Sequence, residues 1–209
     1  MSVAKQTKSR IAENNSEKIL DAALTIFARF GLRGARLDQI AQQAEMSKPN
    51  LLYYFRSKDE LYKAVLKRTL NVWLEALQGF DAKADPATAI KGFIEAKLAY
   101  SRERPEASRL FAIEIIQGGA MLKDAIEGDL AGMLESKART IRGWVAEGKL
   151  APVDPYHLIF NIWATTQHYA DFGSQIEALT GHTLSNKRFH ETALTTMQHI
   201  VLNGILPRK

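Results

Sequence analysis

The sequence contains no cysteine, which excludes a disulfide framework, thiolate metal ligation and a cysteine nucleophile. Strand signals are almost as scarce, because apolar residues recur at intervals of three and four and not in alternation. The five histidines are scattered. None belongs to a Glu-x-x-His pair of the kind that builds carboxylate-bridged metal sites in helical bundles, and no Gly-x-Ser-x-Gly elbow is present. His157 and His168 are better read as core or surface histidines than as bases. No catalytic residue, metal or cofactor is expected. Long hydrophobic runs are also missing. The longest uncharged stretch, PYHLIFNIWATTQHYA, is too short and too polar to span a bilayer. The opening MSVAKQTKSRIAENN lacks the apolar core of a secretory signal, so a cytoplasmic protein is the expectation.

What is present begins with an uneven charge. Residues 1–70 carry 13 Lys+Arg against 7 Asp+Glu, whereas residues 71–209 carry 15 against 16. The positive excess lies in the first third, which points to a polyanion partner there and to another task for the rest. A hydrophobic share of 46% leaves enough apolar surface for a sizeable core.

Helix punctuation recurs along the chain. Ser16 is expected to cap a helix with apolar residues Ile19, Leu20, Ala23 and Phe27, and Gly31 to end it. A short helix over about 37–44 follows. Ser47 caps a third with Pro49 in its first turn, and Ser57 with Glu60 forms a capping box for a fourth. That fourth helix carries Leu66, Leu70, Trp73, Leu77 and Phe80 on one face, so it extends from the basic region into the neutral one. Asp85-Pro86, Arg104-Pro105 and Asp154-Pro155 open further helices over about 86–103, 105–117 and 155–172. Another is expected over 120–147 and a last one from beyond Ser185 to about 203, with a loop or broken helix between 172 and 185. The fold class is all-α, with about nine helices. The division expected is a flexible basic arm (1–15), a helix-turn-helix head (16–62) and a ligand-binding and dimerisation body (63–209).

The second and third helices, joined by the tight turn AEMS, have helix-turn-helix proportions. In such a pair the second helix enters the major groove N-terminus first. Here that end offers Ser47, Lys48 and Asn50, all able to meet phosphates or base edges. Phe55 is expected to turn inward. Tyr53 and Tyr54 stay on the open side, where a phenol packs on sugar and reaches phosphate. Lys58 opens the next helix and is read as a phosphate contact.

Residues 27–62, FARFGLRGARLDQIAQQAEMSKPNLLYYFRSKDELY, resemble the DNA-binding head of the TetR family of bacterial repressors. The shared marks are G-x-x-G, the I-A pair, S-K, and Y-x-F-x-S-K-x-x-L. Arg36 and Leu37 stand where a small hydroxyl residue usually opens the second helix, and Arg36 offers a longer charged contact in its place. Leu52 occupies a site often held by tyrosine. The body segments KLAPVDPYHLIF and LIFNIWATTQHYADF are similar to the pyrimidine-responsive branch of the same family.

The resemblance implies a homodimeric repressor that binds double-stranded operator DNA and is released by a small-molecule effector, uracil or thymine. A different small planar or apolar ligand is the alternative. Gln167, with one acceptor and two donors, matches the C=O and N–H edge of such a ring. Trp73 and Trp163 offer flat surfaces, Phe111 an apolar wall, and Lys97 a cation for a carbonyl oxygen. The helix at 155–172 is apolar on almost every side. With the 185–203 helix and its stripe Leu194, Met197, Val201 and Ile205, it is expected to form the dimer seam.

Overall fold

The computed structural model describes residues 3–207, with side chains described for residue 10 and from residue 12 onward. Among these residues every regular element is helical: α1 (Val3–Gly34), α2 (Leu37–Gln43), α3 (Lys48–Tyr54), α4 (Lys58–Ala76), α5 (Pro86–Glu103) and α6 (Pro105–Ile116). Then come α7 (Lys123–Ala125), a π turn (Ile126–Leu130), α8 (Ala131–Ala146), α9 (Pro155–Asp171), α10 (Gly173–Thr180) and α11 (Lys187–Ile205). The chain packs as two compact units. One consists of Met1–Thr69 with Arg109–Leu122, the other of Leu70–Ser108 with Lys123–Lys209.

In the first unit α1 begins well before the expected cap at Ser16. No glycine or proline interrupts the chain before Gly31, so nothing stops helix propagating towards the N-terminus. The side chains of Lys5 and Lys8, read as part of a basic arm, lie outside the described ones. Gly31 does break the helix, with φ 66° and ψ 176°, a conformation that glycine adopts without steric cost. Ile19, Ala23, Leu24 and Phe27 of α1 are buried along with Ile40, Leu51, Leu61, Val65 and Leu66. The Phe27 and Tyr62 rings meet edge to face at 5.0 Å. Arg68 of α4 forks onto Glu17 and Asp21 of α1, both at 2.9 Å, a geometry suited to a guanidinium.

The end of α6 also belongs to this unit. Its Glu114 carboxylate is buried and accepts hydrogen bonds from the Tyr62 hydroxyl at 3.2 Å and the Met121 N–H at 3.0 Å. Two consecutive glycines with positive φ, Gly118 and Gly119, turn the chain so that Met121 comes back to the carboxylate. Burial, with the neighbouring carboxylate, pushes the Tyr62 phenol well above its ordinary value and keeps it a neutral donor.

The second unit has a continuous core. Phe80 meets Phe93 at 5.2 Å and Trp144 at 5.8 Å, and Ile90, Ile94, Leu98, Ile141, Ile159 and Ile162 fill the space around them. Its helix starts follow the expected chemistry. Asp85 accepts from the Thr88 N–H at 2.9 Å, and Asp154 from the His157 N–H at 3.0 Å. For α11 the cap is Asn186, which accepts from the Phe189 N–H at 3.0 Å. The 172–185 segment holds the two-turn helix α10, closed by Gly181 in the left-handed region.

Helix α9 buries Leu158, Ile159, Ile162, Thr166 and Ala170 and leaves Phe160 exposed, with Phe172 exposed just beyond its end. One expectation about the helical faces needs correction. On α11 the stripe expected at a dimer seam faces its own core. Met197, Val201 and Ile205 are buried there, Leu194 packs partly against it, and Ile200 is 65% exposed. A buried stripe and an intersubunit stripe have the same helical spacing, so spacing alone does not tell them apart.

The turn between α2 and α3 holds Glu45 at φ 56°, the described non-glycine residue in the left-handed region. The Met46 N–H bonds back to the Ala41 carbonyl at 2.9 Å across it, as in a helix-ending motif that favours glycine at this position. Glu45→Gly is therefore expected to stabilise the protein by about 1 kcal/mol, a rise in Tm of roughly 2–4 °C. Scanning calorimetry of the two proteins measures it, and a lower Tm for the variant would contradict it.

Candidate nucleic-acid interface and effector site

The third helix, α3, has seven residues, too few to be stable alone. Its neighbours hold it. Leu51 and Phe55 are buried, the Phe55 placement being the one expected. The Ser47 hydroxyl accepts from the Asn50 N–H at 3.3 Å. Tyr54 is half-buried, and its hydroxyl accepts from Asn15 Nδ2 of α1 at 2.9 Å. Tyr53 is 81% exposed and meets the Tyr54 ring edge to face at 5.3 Å. Ser47, Lys48 and Asn50 are exposed at the start of the helix.

The cations around this helix are arranged by local partners. Lys48 Nζ lies 3.2 Å from Asp38 Oδ1, and the exposed Arg36 guanidinium 3.8 Å from Asp38 Oδ2. Exposed pairs of this kind are weak. Lys58 Nζ donates to the Ala35 carbonyl at 3.0 Å and approaches the Arg33 carbonyl at 3.5 Å. It thus ties the start of α4 to the segment after Gly31. The capping box is shifted by one residue: Ser57 Oγ accepts from the Glu60 N–H, while Glu60 Oε2 accepts from the Arg56 N–H. Together these contacts fix a short helix with one face of hydroxyl, amide, cation and phenol turned outward.

The second unit contains an unusual cluster. Lys97 of α5 is 1% exposed, and its Nζ sits 3.8 Å over the Trp73 ring. Tyr100 meets Trp73 edge to face at 6.3 Å. Burial pushes the Lys97 ammonium down to about 7, and the Asp171 carboxylate opposes that shift. Asp171 Oδ1 in turn accepts from Ser108 Oγ at 2.7 Å. A groove of about 280 Å³ is lined by Val72, Trp73, Glu75, Ala76, Ala96, Lys97, Ala99, Tyr100 and Glu103. A cation held against an aromatic face beside a small groove suits an electron-rich planar ligand.

The structure therefore brings Trp73 and Lys97 together. Trp163 is half-buried against the core of the second unit, with its ring 5.6 Å from Phe160, and Gln167 is half-buried on the same helix. Neither lines the groove. Phe111 is buried in the first unit. Ser108 and Tyr100 were not expected from the sequence. A signal for the cluster is nevertheless present: Phe93, Ile94, Lys97, Leu98 and Ser101 follow helical spacing, which puts a lysine on a buried stripe.

Residues 19–65 match the family model described as bacterial regulatory proteins, tetR family, and residues 66–208 match that of the YcdC-like protein C-terminal region. The chain belongs to the TetR family and is a DNA-binding transcriptional regulator. It is 49% identical over 201 residues to the HTH-type transcriptional regulator RutR of Escherichia coli strain K12, covering 96% of this chain and 95% of that one. Among solved structures it resembles the transcriptional regulator SCO4942 of Streptomyces coelicolor, with a TM-score of 0.64 and 27% identity over 92% of this chain and 98% of that one. The ketosteroid transcriptional regulator KstR2 of Mycobacterium tuberculosis shares the fold, with a TM-score of 0.69 and 20% identity over 92% and 95%. Regulators of this family bind operator DNA, act as dimers and answer to small-molecule effectors.

The depressed Lys97 value has a consequence for stability. In an unfolded chain a lysine titrates near 10.4, so between about pH 7 and pH 10 the unfolded state binds more protons than the native one. Stability then rises with pH across that window, and the cost of the buried charge is greatest below pH 7. Lys97→Met is expected to be more stable than wild type at pH 6, with the gap narrowing towards pH 9. Urea unfolding at a series of pH values measures the gap, and one that widened with pH would contradict the assignment.

Proposed function

We propose that this chain is a cytoplasmic repressor of genes of pyrimidine metabolism that leaves its operator when uracil or thymine binds. The observation that carries the effector half is the Lys97 ammonium held over Trp73 beside a groove. This is a surface on which a planar ring stacks while its carbonyl oxygen meets a cation. The resemblance also assigns the ligand an amide edge from Gln167 and a flat face from Trp163, although neither lines the groove itself. The similarity of the 149–172 stretch to the pyrimidine-responsive branch supports the same ligand class. The alternative, another small planar or apolar ligand, is favoured by one observation: Gln167 and Trp163 do not line the groove.

For DNA, the reading is that α3 lies in the major groove, with Lys48 and Asn50 at base edges or phosphates. Ser47, Tyr53 and Tyr54 then meet the backbone. Arg36 and Lys58 flank the helix as further phosphate contacts, Lys58 through an ammonium proton not used on Ala35. The dimer forms through the exposed faces of α9 and α11, where Phe160 and Ile200 are exposed, with Phe172 exposed just beyond the end of α9. Trp73 lies on α4, which begins at Lys58 in the head. A ligand that displaces Trp73 displaces that helix, and a recognition helix shifted by a few ångströms misses its half-site.

An electrophoretic mobility shift with DNA from upstream of the chain's own gene tests the reading. The expected result is a retarded band lost on titration with uracil or thymine, and kept with cytosine. A band that neither uracil nor thymine weakens would overturn the effector assignment and leave the DNA-binding reading in place.

A further inference from the structure

Lys97 is the most deeply buried cation among the described residues, and its surroundings pull its charge in opposite directions. Burial disfavours the ammonium, while the Trp73 face and the Asp171 carboxylate favour it. The outcome is a group close to balance near neutral pH. A balanced group responds strongly to whatever is placed beside it. A carbonyl oxygen accepts a hydrogen bond from the charged form with three donors to offer, and a charge-assisted bond is the stronger kind.

Resting on the effector reading above, we propose that ligand binding in the Trp73 groove is coupled to protonation of Lys97, so that each effector molecule is bound with uptake of a proton from solution. The regulator then reads pH together with effector: at a fixed uracil concentration, release from DNA is more complete on the acid side of neutrality. The coupling is reciprocal, since whatever holds the proton on Lys97 also raises ligand affinity.

Other titratable groups around the lysine are Asp171 on α9, Glu75 on α4, and Tyr100 and Glu103 on α5. On α11, His190 lies near Arg102, Glu103 and Glu95. Burial first, and then Arg102, hold His190 below the ordinary histidine value.

Two measurements test the proposal. In the ligand-free protein, tryptophan fluorescence across pH 5.5 to 8.5 is expected to show a transition near pH 7, because the ammonium sits on the Trp73 face. Lys97→Met should abolish it. A flat profile in wild type, or the same transition in the variant, would overturn the assignment.

The second is calorimetric titration of wild type with uracil in phosphate and in Tris. At pH 8 the apparent enthalpies should differ by the ionisation heat of nearly one proton, and at pH 6 they should agree. The Kd should be about tenfold weaker at pH 8 than at pH 6. Equal enthalpies at pH 8, or proton release in place of uptake, would overturn the coupling and leave uracil as effector. No binding of uracil at any pH would overturn the effector assignment and the coupling with it, while the fluorescence transition would still report Lys97.

Discussion

A helix of seven residues has almost no stability of its own, and the head of this regulator is organised around supplying it. Two of its side chains, Leu51 and Phe55, are buried among the surrounding helices. Ser47 satisfies a first-turn donor, Asn15 binds the Tyr54 hydroxyl, and Lys58 ties the next helix to the Ala35 carbonyl. The contacts made by α3 itself lie on its inner side or at an end. The outer side is left free for Lys48, Asn50 and Tyr53. A recognition element of this kind has to be rigid before it meets DNA, because ordering it on contact would cost binding free energy.

The second unit handles charge differently. Most lysines keep the ammonium in water, but Lys97 is sequestered against an indole with a carboxylate close enough to matter. Such an arrangement is costly in stability, and functional sites are where costs of this kind concentrate. The Asp171 carboxylate is engaged by Ser108 on α6. Two turns further along α6, Glu114 is held by Tyr62 of α4 within the head unit. One helix therefore carries a polar contact in each unit.

Much of this was legible in the sequence. Asp85 and Asp154, each followed by proline, cap helices where side-chain chemistry says they should, and the head motif gave the order and lengths of α2 and α3. Three features were not legible, for identifiable reasons. Ser16 looked like a helix start because it is a good cap, but no glycine or proline precedes it to stop the helix, and a cap cannot act where the helix does not begin. The α11 stripe fitted a dimer seam and a core equally well, and only packing decides between them. The 109–122 segment lies far from the head in sequence yet packs with it, a tertiary pairing that helical periodicity does not encode. Lys97 was picked out as a ligand contact. Its burial and its position over Trp73 emerged only once α4 and α5 were brought together.

The central claim is that the open face of α3 grips duplex DNA through backbone charge. The most direct measurement is fluorescence anisotropy of a labelled operator duplex over a series of salt concentrations, with wild type and with Lys48→Ala, Tyr53→Ala. The account predicts affinity that falls linearly with the logarithm of salt, a weaker-binding variant, and a slope smaller by about one for the lost cation. Salt-independent binding, or a variant indistinguishable from wild type in both affinity and slope, would contradict it.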